Sequence, residues 1–316
     1  WAGGRSRAML RGMITIPLKG PAGEPVDFLR CLLSHGVADL PPHRVDRAAR
    51  TLTVPLALSR GVRTVVVADA GGGRARIDVA GRPPSSAQRA ELERAVAHLF
   101  RLDADLSPFY ARIRRDPDLA WAARGAGRLM RCATVFEEVI KTICTTNCAW
   151  SATERMVHQL VRHLGRPAPG AARDSVEGRA FPTPAALAAA DDAFYRDVVR
   201  AGYRGPYIRA VARAVSDGTL DLESFAPGHP AALADDDVEE RLLALPGVGP
   251  YAAAHILMML GRHSRLVLDS WTRPAYARLL GRRTVSDAAI RKRFRAYGPY
   301  AGLAFWLMLT KEWTEG

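Results

Sequence analysis

Leu242-Leu-Ala-Leu-Pro-Gly-Val-Gly-Pro-Tyr-Ala-Ala-Ala254 is the stretch on which the fold turns. An apolar helix ends near Leu245, Pro246-Gly-Val-Gly249 forms a tight corner, and Pro250 opens the next helix at a position that needs no N–H. Two glycines one residue apart let another backbone approach closely. The first-turn amides of the second helix have no intrahelical partners, and the positive end of the helix dipole lies behind them. This is a helix–hairpin–helix, predicted at about 238–260, with a phosphate site made of backbone at Gly247, Val248 and Gly249. Such a site carries no sequence preference.

Downstream, the second helix is predicted over Pro250 to about Leu260, roughly 16 Å long at 1.5 Å per residue. Gly261-Arg-His-Ser264 turns the chain, and Arg265-Leu-Val-Leu268 reads as extended. That length suffices to bring Asp269 back beside Pro250 and Tyr251. Asp269-Ser270 also precedes a helix expected at Trp271–Leu280, so a capping role is equally open, and a cap would fix the carboxylate's direction.

Upstream, Phe136, Val139, Ile140 and Ile143 repeat as one buried helix face. Ser151-Ala-Thr-Glu154 has the form of a capping box, starting a helix that carries Met156, Val157, Leu160, Val161 and Leu164. Thr145–Trp150 links the two, and Thr183-Pro184 starts a further helix. Ser107-Pro108 reads as an N-cap followed by a first-turn proline. Before residue 85 the pattern has period two: Leu52, Val54, Leu56 and Leu58 alternate as a strand that Pro55 places at an edge. Val62–Ala68 and Arg74–Val79 flank Asp69-Ala-Gly-Gly-Gly73, a hairpin with a loose turn. The expected class is α+β, with an N-terminal antiparallel β-rich accessory domain (1–100) followed by an all-helical domain (101–316).

Composition fits a globular protein. Of the 316 residues 48% are hydrophobic, and no apolar run reaches the roughly 20 residues of a membrane span. The chain opens without a charged-then-apolar signal segment, and Cys31, Cys132, Cys144 and Cys148 are too few and too irregular for a disulfide framework. The expected setting is the reducing cytoplasm. Lys plus Arg is 45 against 32 Asp plus Glu, a net charge of +13. The basic residues spread evenly along the chain, which favours a polyanionic partner, nucleic acid ahead of membrane. An Arg-rich compositional habit would produce the same excess.

The hairpin together with Leu-Val-Leu-Asp269 resembles the helix-hairpin-helix superfamily of base-excision DNA glycosylases. Val139-Ile-Lys-Thr-Ile-Cys-Thr-Thr-Asn147, Phe181-Pro-Thr-Pro, Ala201-Gly-Tyr-Arg-Gly-Pro-Tyr-Ile208 and Tyr297-Gly-Pro-Tyr-Ala-Gly302 resemble its 8-oxoguanine glycosylase-like branch, in order, over about Val135–Leu309. The resemblance implies Asp269 as the catalytic carboxylate and Asn147 as the residue that fills the gap left by a flipped base; Lys141, on the helix before that loop and four residues from Thr145, is expected to contact phosphate. The resemblance also implies an ion on the backbone carbonyls of Leu243, Leu245 and Val248, structural rather than catalytic. Bifunctional members carry a lysine two residues after the second hairpin glycine, and Tyr251 stands there instead, as in monofunctional alkylpurine glycosylases. Tyr251, His255, Phe305, Leu309 and Trp271 are the expected base pocket, an aromatic one suited by cation–π attraction to N-alkylated purines. The last cysteine is Cys148, so no iron–sulfur cluster is expected; Cys144 and Cys148 lack further ligands, and no cofactor is required. The implied protein is a monomer that removes a damaged purine from duplex DNA by water attack without strand cleavage, associated with the nucleoid. A glycosylase for oxidised or deaminated bases and a catalytically silent DNA-binding homologue are the rival readings.

Overall fold

The computed structural model describes residues 13–231 and 233–314. Ile14–Pro17 (β1) and the short helix Phe28–Leu32 (α1) lead into Arg44–Asp46 (β2), Thr51–Leu58 (β3), Gly61–Gly71 (β4) and Arg74–Val79 (β5). The sheet is antiparallel throughout, in the order β1-β5-β4-β3-β2. Helix Ser86–Leu99 (α2) buries Leu92, Val96 and Leu99, which join the apolar face of the sheet and α1 in one core. The α+β class expected from the change of period is therefore observed.

Two details of the sheet sharpen the reading of the sequence. Pro55 lies inside the β3–β4 ladder opposite Thr64, but β2 pairs only with Thr51–Thr53, so at Pro55 the other side of β3 has no strand to miss its N–H. The turn expected to be loose is tight: Gly71 pairs with Arg74 across Gly72-Gly73, whose φ values of +59° and +68° suit a two-residue hairpin. The slack is absorbed one step earlier, in a bulge between Asp69 and Gly71.

The remaining chain is helical: Ser107–Ile113 (α3), Val135–Thr145 (α4), Trp150–Leu164 (α5), Pro184–Ala189 (α6), Arg204–Ser216 (α7), Asp235–Leu243 (α8), Pro250–Leu260 (α9), Thr272–Leu279 (α10), Asp287–Phe294 (α11) and Ala301–Thr310 (α12). Two expected caps are displaced. At α3 the N-cap is Leu106, because Asp105 Oδ1 takes the Ser107 N–H at 2.8 Å and draws Ser107 into the helix. Helix α5 starts at Trp150, and its indole N–H donates to Glu154 Oε1 at 2.8 Å, so Glu154 closes no capping box with Ser151.

Helix α4 is buried along its length, including Glu137, Glu138 and Lys141, and it packs against α5, α7 and α9 in one core. A second core gathers α3, α10, α11 and α12 around Phe294 and Phe305. Hydrophobic α9 contributes to both, with Ile256 and Leu257 on one side and Met258 and Met259 on the other. The cores meet the N-terminal region directly: Val37 and Leu40 belong to the α4 core, and Trp306 Nε1 donates to the Ser34 carbonyl at 2.8 Å. Among the described residues no helix is long and apolar enough to cross a membrane.

Segment 262–269, between α9 and α10, lies on the start of α12, where Gly302 N–H donates to the His263 carbonyl at 2.8 Å. A Cβ at Gly302 would overlap the Arg265 carbonyl oxygen. Gly302→Ala should therefore cost about 1–3 kcal/mol, the usual range for an overpacked site. The check is the urea midpoint, which should fall at unchanged m-value; an unmoved midpoint would show that this backbone contact can relax freely.

Candidate active site and nucleic-acid interface

The hairpin is built as its sequence dictates. Helix α8 gives way to a corner held by Leu245 N–H to the Leu242 carbonyl at 3.0 Å and Val248 N–H to the Leu245 carbonyl at 3.2 Å. Gly247 has φ +82° and packs on Tyr207 of α7, whose ring would lie 2.7 Å from an added Cβ. Gly249 is the N-cap of α9, extended at φ −99°, exposed, with open space where a side chain would be. Gly247 is thus required by the fold, while Gly249 leaves a bare approach to the first turn of α9. Val248 faces inward: its side chain is buried and its amide is spent inside the hairpin, so its predicted contact with DNA is corrected.

Asp269 arrives where the chain length allowed. Its Oδ1 accepts from Trp271 N–H at 2.8 Å and Thr272 N–H at 2.6 Å, and Thr272 Oγ1 accepts from the Asp269 N–H at 2.8 Å. It holds the turn that leads into α10, whose N-cap residue is Trp271, and it is a positioned acid at once. Among the described residues Oδ2 accepts no hydrogen bond. The carboxylate bears on both rings expected to share its cleft. Burial pushes the Tyr251 hydroxyl up from its ordinary value, and the Asp269 charge adds to this. Burial lowers His255 to about 4, with Asp269 opposing. At neutral pH Tyr251 keeps its proton and His255 is uncharged.

The probing loop is equally fixed. Asn147 is exposed with φ +46°, and its Nδ2 donates to Tyr203 Oη at 3.3 Å. Arg204 stacks on Tyr203 at 4.5 Å and clamps the loop backbone, Nε donating to the Thr146 carbonyl at 3.0 Å with Nη2 on the same oxygen. Tyr203 in turn meets Tyr207 at 5.9 Å, the ring on which Gly247 rests. Asn147, Tyr203, Tyr207 and the hairpin form one continuous surface, joined to the cleft where Thr145 Oγ1 lies 3.4 Å from Tyr251 Oη. The sequence flagged Tyr203, Arg204 and Tyr207 only as a matching string; their roles come from contacts spanning some 60 residues.

Three expectations about the site are corrected. Lys141 cannot reach phosphate: it is fully buried, pairs with Glu137 Oε1 at 2.7 Å and donates to the Leu40 carbonyl at 3.1 Å. It sits on the inward face of a helix that has no solvent face, and it ties the N-terminal region to α4. Phe305 is core, fully buried with Phe294 at 5.1 Å and Tyr276 at 5.7 Å. Leu309, on the same helix, is half-buried against that core and does not line the cavity beside the site.

That cavity, of about 340 Å³, is lined by His35, Gly36, Asp39, Trp150, Glu154 and Trp313 among others. It adjoins the cleft on two sides. His35 meets His255 edge-on at 6.5 Å, and Trp313 lies 5.6 Å from Trp271, two residues beyond Asp269. Trp150 packs on Gly36, where a Cβ would come within 3.1 Å of its ring. The walls come from the N-terminal region, the start of α5 and the C-terminal turn. No local pattern announces these residues, so sequence reasoning missed them; a tryptophan three residues after Asn147 was the available signal.

No protein-family model matches the chain. A Bacillus subtilis protein named as a DNA-3-methyladenine glycosylase, YfjP, is 26% identical over 279 residues, covering 84% of this chain and 90% of its own. A 3-methyladenine DNA-glycosylase from Archaeoglobus fulgidus superposes with a TM-score of 0.70 at 18% identity, covering 95% of this chain and 98% of its own. In sequence and in fold the chain is similar to DNA glycosylases. An 8-oxoguanine glycosylase/lyase from Clostridium acetobutylicum shares the glycosylase fold equally, with a TM-score of 0.70 at 19% identity over 95% of this chain and 96% of its own. In this glycosylase fold, no group of three or more His, Cys, Asp or Glu among the described residues is placed to hold a metal ion.

The buried histidines make stability depend on pH. Burial holds His35 and His263 near 3, His255 near 4, and His43 well below its ordinary value. Each binds a proton in the unfolded chain below about pH 6.5 but not in the folded one, so stability falls as pH drops from there toward 4. Thermal unfolding should move to lower temperature over that interval, and in His255→Gln the pH slope should shrink by about one proton. An identical slope in the variant would place His255 in contact with solvent.

Proposed function

We propose that the chain is a monofunctional DNA glycosylase that flips a damaged purine, N-alkylated, out of duplex DNA and releases it by Asp269-assisted attack of water, leaving the strand intact. The observation that carries this reading is Tyr251. It stands in the Asp269 cleft two residues after Gly249, where a lyase needs an amine to form a Schiff base. A phenol held in its protonated form cannot form an imine. Of the four lysines, Lys141 is sealed in its pair with Glu137, and guanidinium groups stay protonated and do not attack.

The chemistry follows from the carboxylate. Cleaving an N-glycosidic bond develops positive charge on the deoxyribose, and a fixed anion stabilises it without reorganising. Oδ1 is held by two amides, and Oδ2 is left to face the sugar and orient water. Extruding the base costs a few kcal/mol, which insertion of Asn147 beside the Tyr203 ring offsets. The unpaired amides of α9 and Gly249 take the backbone phosphate. Trp150, Trp313, Asp39 and Glu154 line the cavity, an aromatic and acidic setting suited to a cationic purine, each good stack adding about 0.5–2 kcal/mol. The B. subtilis relative, named for 3-methyladenine, supports the same substrate class. A monovalent ion on the carbonyls of Leu243, Leu245 and Val248 would steady the hairpin; the Leu245 carbonyl gives one lone pair to Val248 N–H and keeps the other for it. The protein works as a monomer on DNA in the cytoplasm.

Two experiments test the reading. Duplex oligonucleotides with one 3-methyladenine or 7-methylguanine should yield abasic strands that break only after alkali, with no borohydride-trapped complex. Asp269→Asn should bind the same DNA while losing at least 100-fold in base release, because an amide cannot stabilise the sugar cation and still holds the turn into α10. Trapping would make the protein a lyase. Release of oxidised or deaminated bases in place of methylated ones would favour the remodelled-pocket rival, and release of none the silent homologue.

Gly249→Asp tests the hairpin with the fold held constant. Aspartate is a good N-cap and meets nothing at this position, so the melting temperature should stay or rise. Affinity for undamaged duplex should fall at least tenfold as the new carboxylate occupies the phosphate site. Unchanged affinity would remove the hairpin from the interface.

A further inference from the structure

We propose that the exposed face made by α11 and the C-terminal end of α10 is a second phosphate-binding surface, which holds the duplex on one side of the base-release site; the placement beside that site rests on the glycosylase reading above. Between residues 278 and 295 the chain carries seven cations and one carboxylate. Six of the cations, Arg278, Arg282, Arg283, Arg291, Lys292 and Arg295, are exposed, and among the described residues none of the six forms an ion pair.

The carboxylates within reach are already committed. Asp287 is gripped by Arg273 through Nε at 2.7 Å and Nη2 at 2.9 Å. Asp116 accepts from Tyr297 Oη at 2.6 Å, and Asp118 pairs with Arg293 at 3.3 Å. On the other side of the hairpin, the acids of α8 neutralise the neighbouring arginines: Asp235 pairs with Arg262 at 2.7 Å, and Asp236 and Glu239 hold Arg265. Exposed arginines without an ion pair among the described residues also occur elsewhere, at Arg60, Arg94, Arg155 and Arg213 for example, but no other stretch of 18 residues carries seven cations against one carboxylate. Arg291 and Arg295 are one helical turn apart, with Lys292 three residues before Arg295, so the three project together. Unpaired cations this close repel one another, and a polyanion relieves the repulsion. Arginine forks match phosphate oxygens in pairs.

Placement fits the partner. Helix α10 follows the turn that Asp269 holds, and the Arg273–Asp287 pair ties α11 to it. Nine residues of rise at 1.5 Å put Arg278 about 14 Å from Asp269, or about four base pairs along a duplex axis. The face therefore meets phosphates flanking the flipped nucleotide, outside the reach of the hairpin.

The test is a variant carrying Arg282→Gln, Arg283→Gln, Arg291→Gln and Lys292→Gln, all exposed and remote from the reacting atoms. Affinity for an undamaged 25-base-pair duplex is measured by anisotropy between 50 and 300 mM KCl. Each lost phosphate contact removes about 0.9 from the slope of log K against log salt, so losing all four should make the variant's slope shallower by about 3.6. A duplex with a central tetrahydrofuran abasic analogue fixes the register. Shortening one arm of it should cost the parent protein affinity and the variant none, while shortening the other arm should affect both alike. Unchanged melting temperature and single-turnover release at saturating protein confirm that the machinery is intact. Equal salt slopes overturn the proposal, as does a loss indifferent to which arm is shortened. Absence of base release from every lesion, with the slope still altered, would sink the glycosylase reading and leave the surface standing.

Discussion

The contact between Gly302 and the backbone of residues 263–265 is the constraint on which the site depends. Helix α9 runs away from the hairpin, so its far end delivers the chain more than 10 Å from where a carboxylate is needed. The return segment regains that distance by lying on the start of α12 closely enough that no side chain fits between. Gly302 donates its amide to the His263 carbonyl and clears the Arg265 carbonyl. Asp269 is then fixed twice, by the route of the chain and by the two amides at the entry to α10, those of Trp271 and Thr272, that grip Oδ1. A carboxylate held this way keeps one oxygen in reserve, and electrostatic catalysis needs that arrangement in place before the reaction begins.

The interface follows the same logic of fixed backbone. Arg204, a residue able to contact phosphate, is turned inward to hold the Thr146 carbonyl, and Asn147 is thereby presented in a left-handed conformation beside Tyr203. Gly247 lets the hairpin sit on Tyr207, so the Asn147 loop and the hairpin share one helix, α7, as their support. On the proposed reading, holding the two at a set separation would couple gripping the DNA backbone to filling the gap behind an extruded base.

Much of this was legible in residue order. The period-two pattern before residue 85 and the 3.6-residue pattern after it separated sheet from helices because each reflects which face is buried, a local property. The hairpin was legible because glycine and proline each solve a backbone problem that few residues solve: positive φ at Gly247 and a first helical position without an N–H at Pro250. The distance from Pro250 to Asp269 was legible as reach. The small errors at Ser107 and Ser151 are of another kind, since Asp105 and Trp150 compete for the same polar groups and a motif read alone cannot weigh them.

What the sequence by itself determined, then, was the α+β class, the helix–hairpin–helix and the carboxylate that returns to it, because these follow from backbone conformation and chain length. Only the tertiary structure decided which side chains face the site. Lys141 and Phe305 carry the right chemistry at the right positions in the chain, yet one is locked against Glu137 and Leu40 and the other lies among Phe294 and Tyr276. The cavity wall was supplied instead by His35, Gly36, Trp150 and Trp313, drawn from segments far apart in sequence. Burial is a property of how elements pack against one another: α12 is apolar on nearly every side, and α4, despite its apolar stripe, is also covered on its polar side at Glu137, Glu138 and Lys141, so neither pattern tells which residue faces the core and which the cleft.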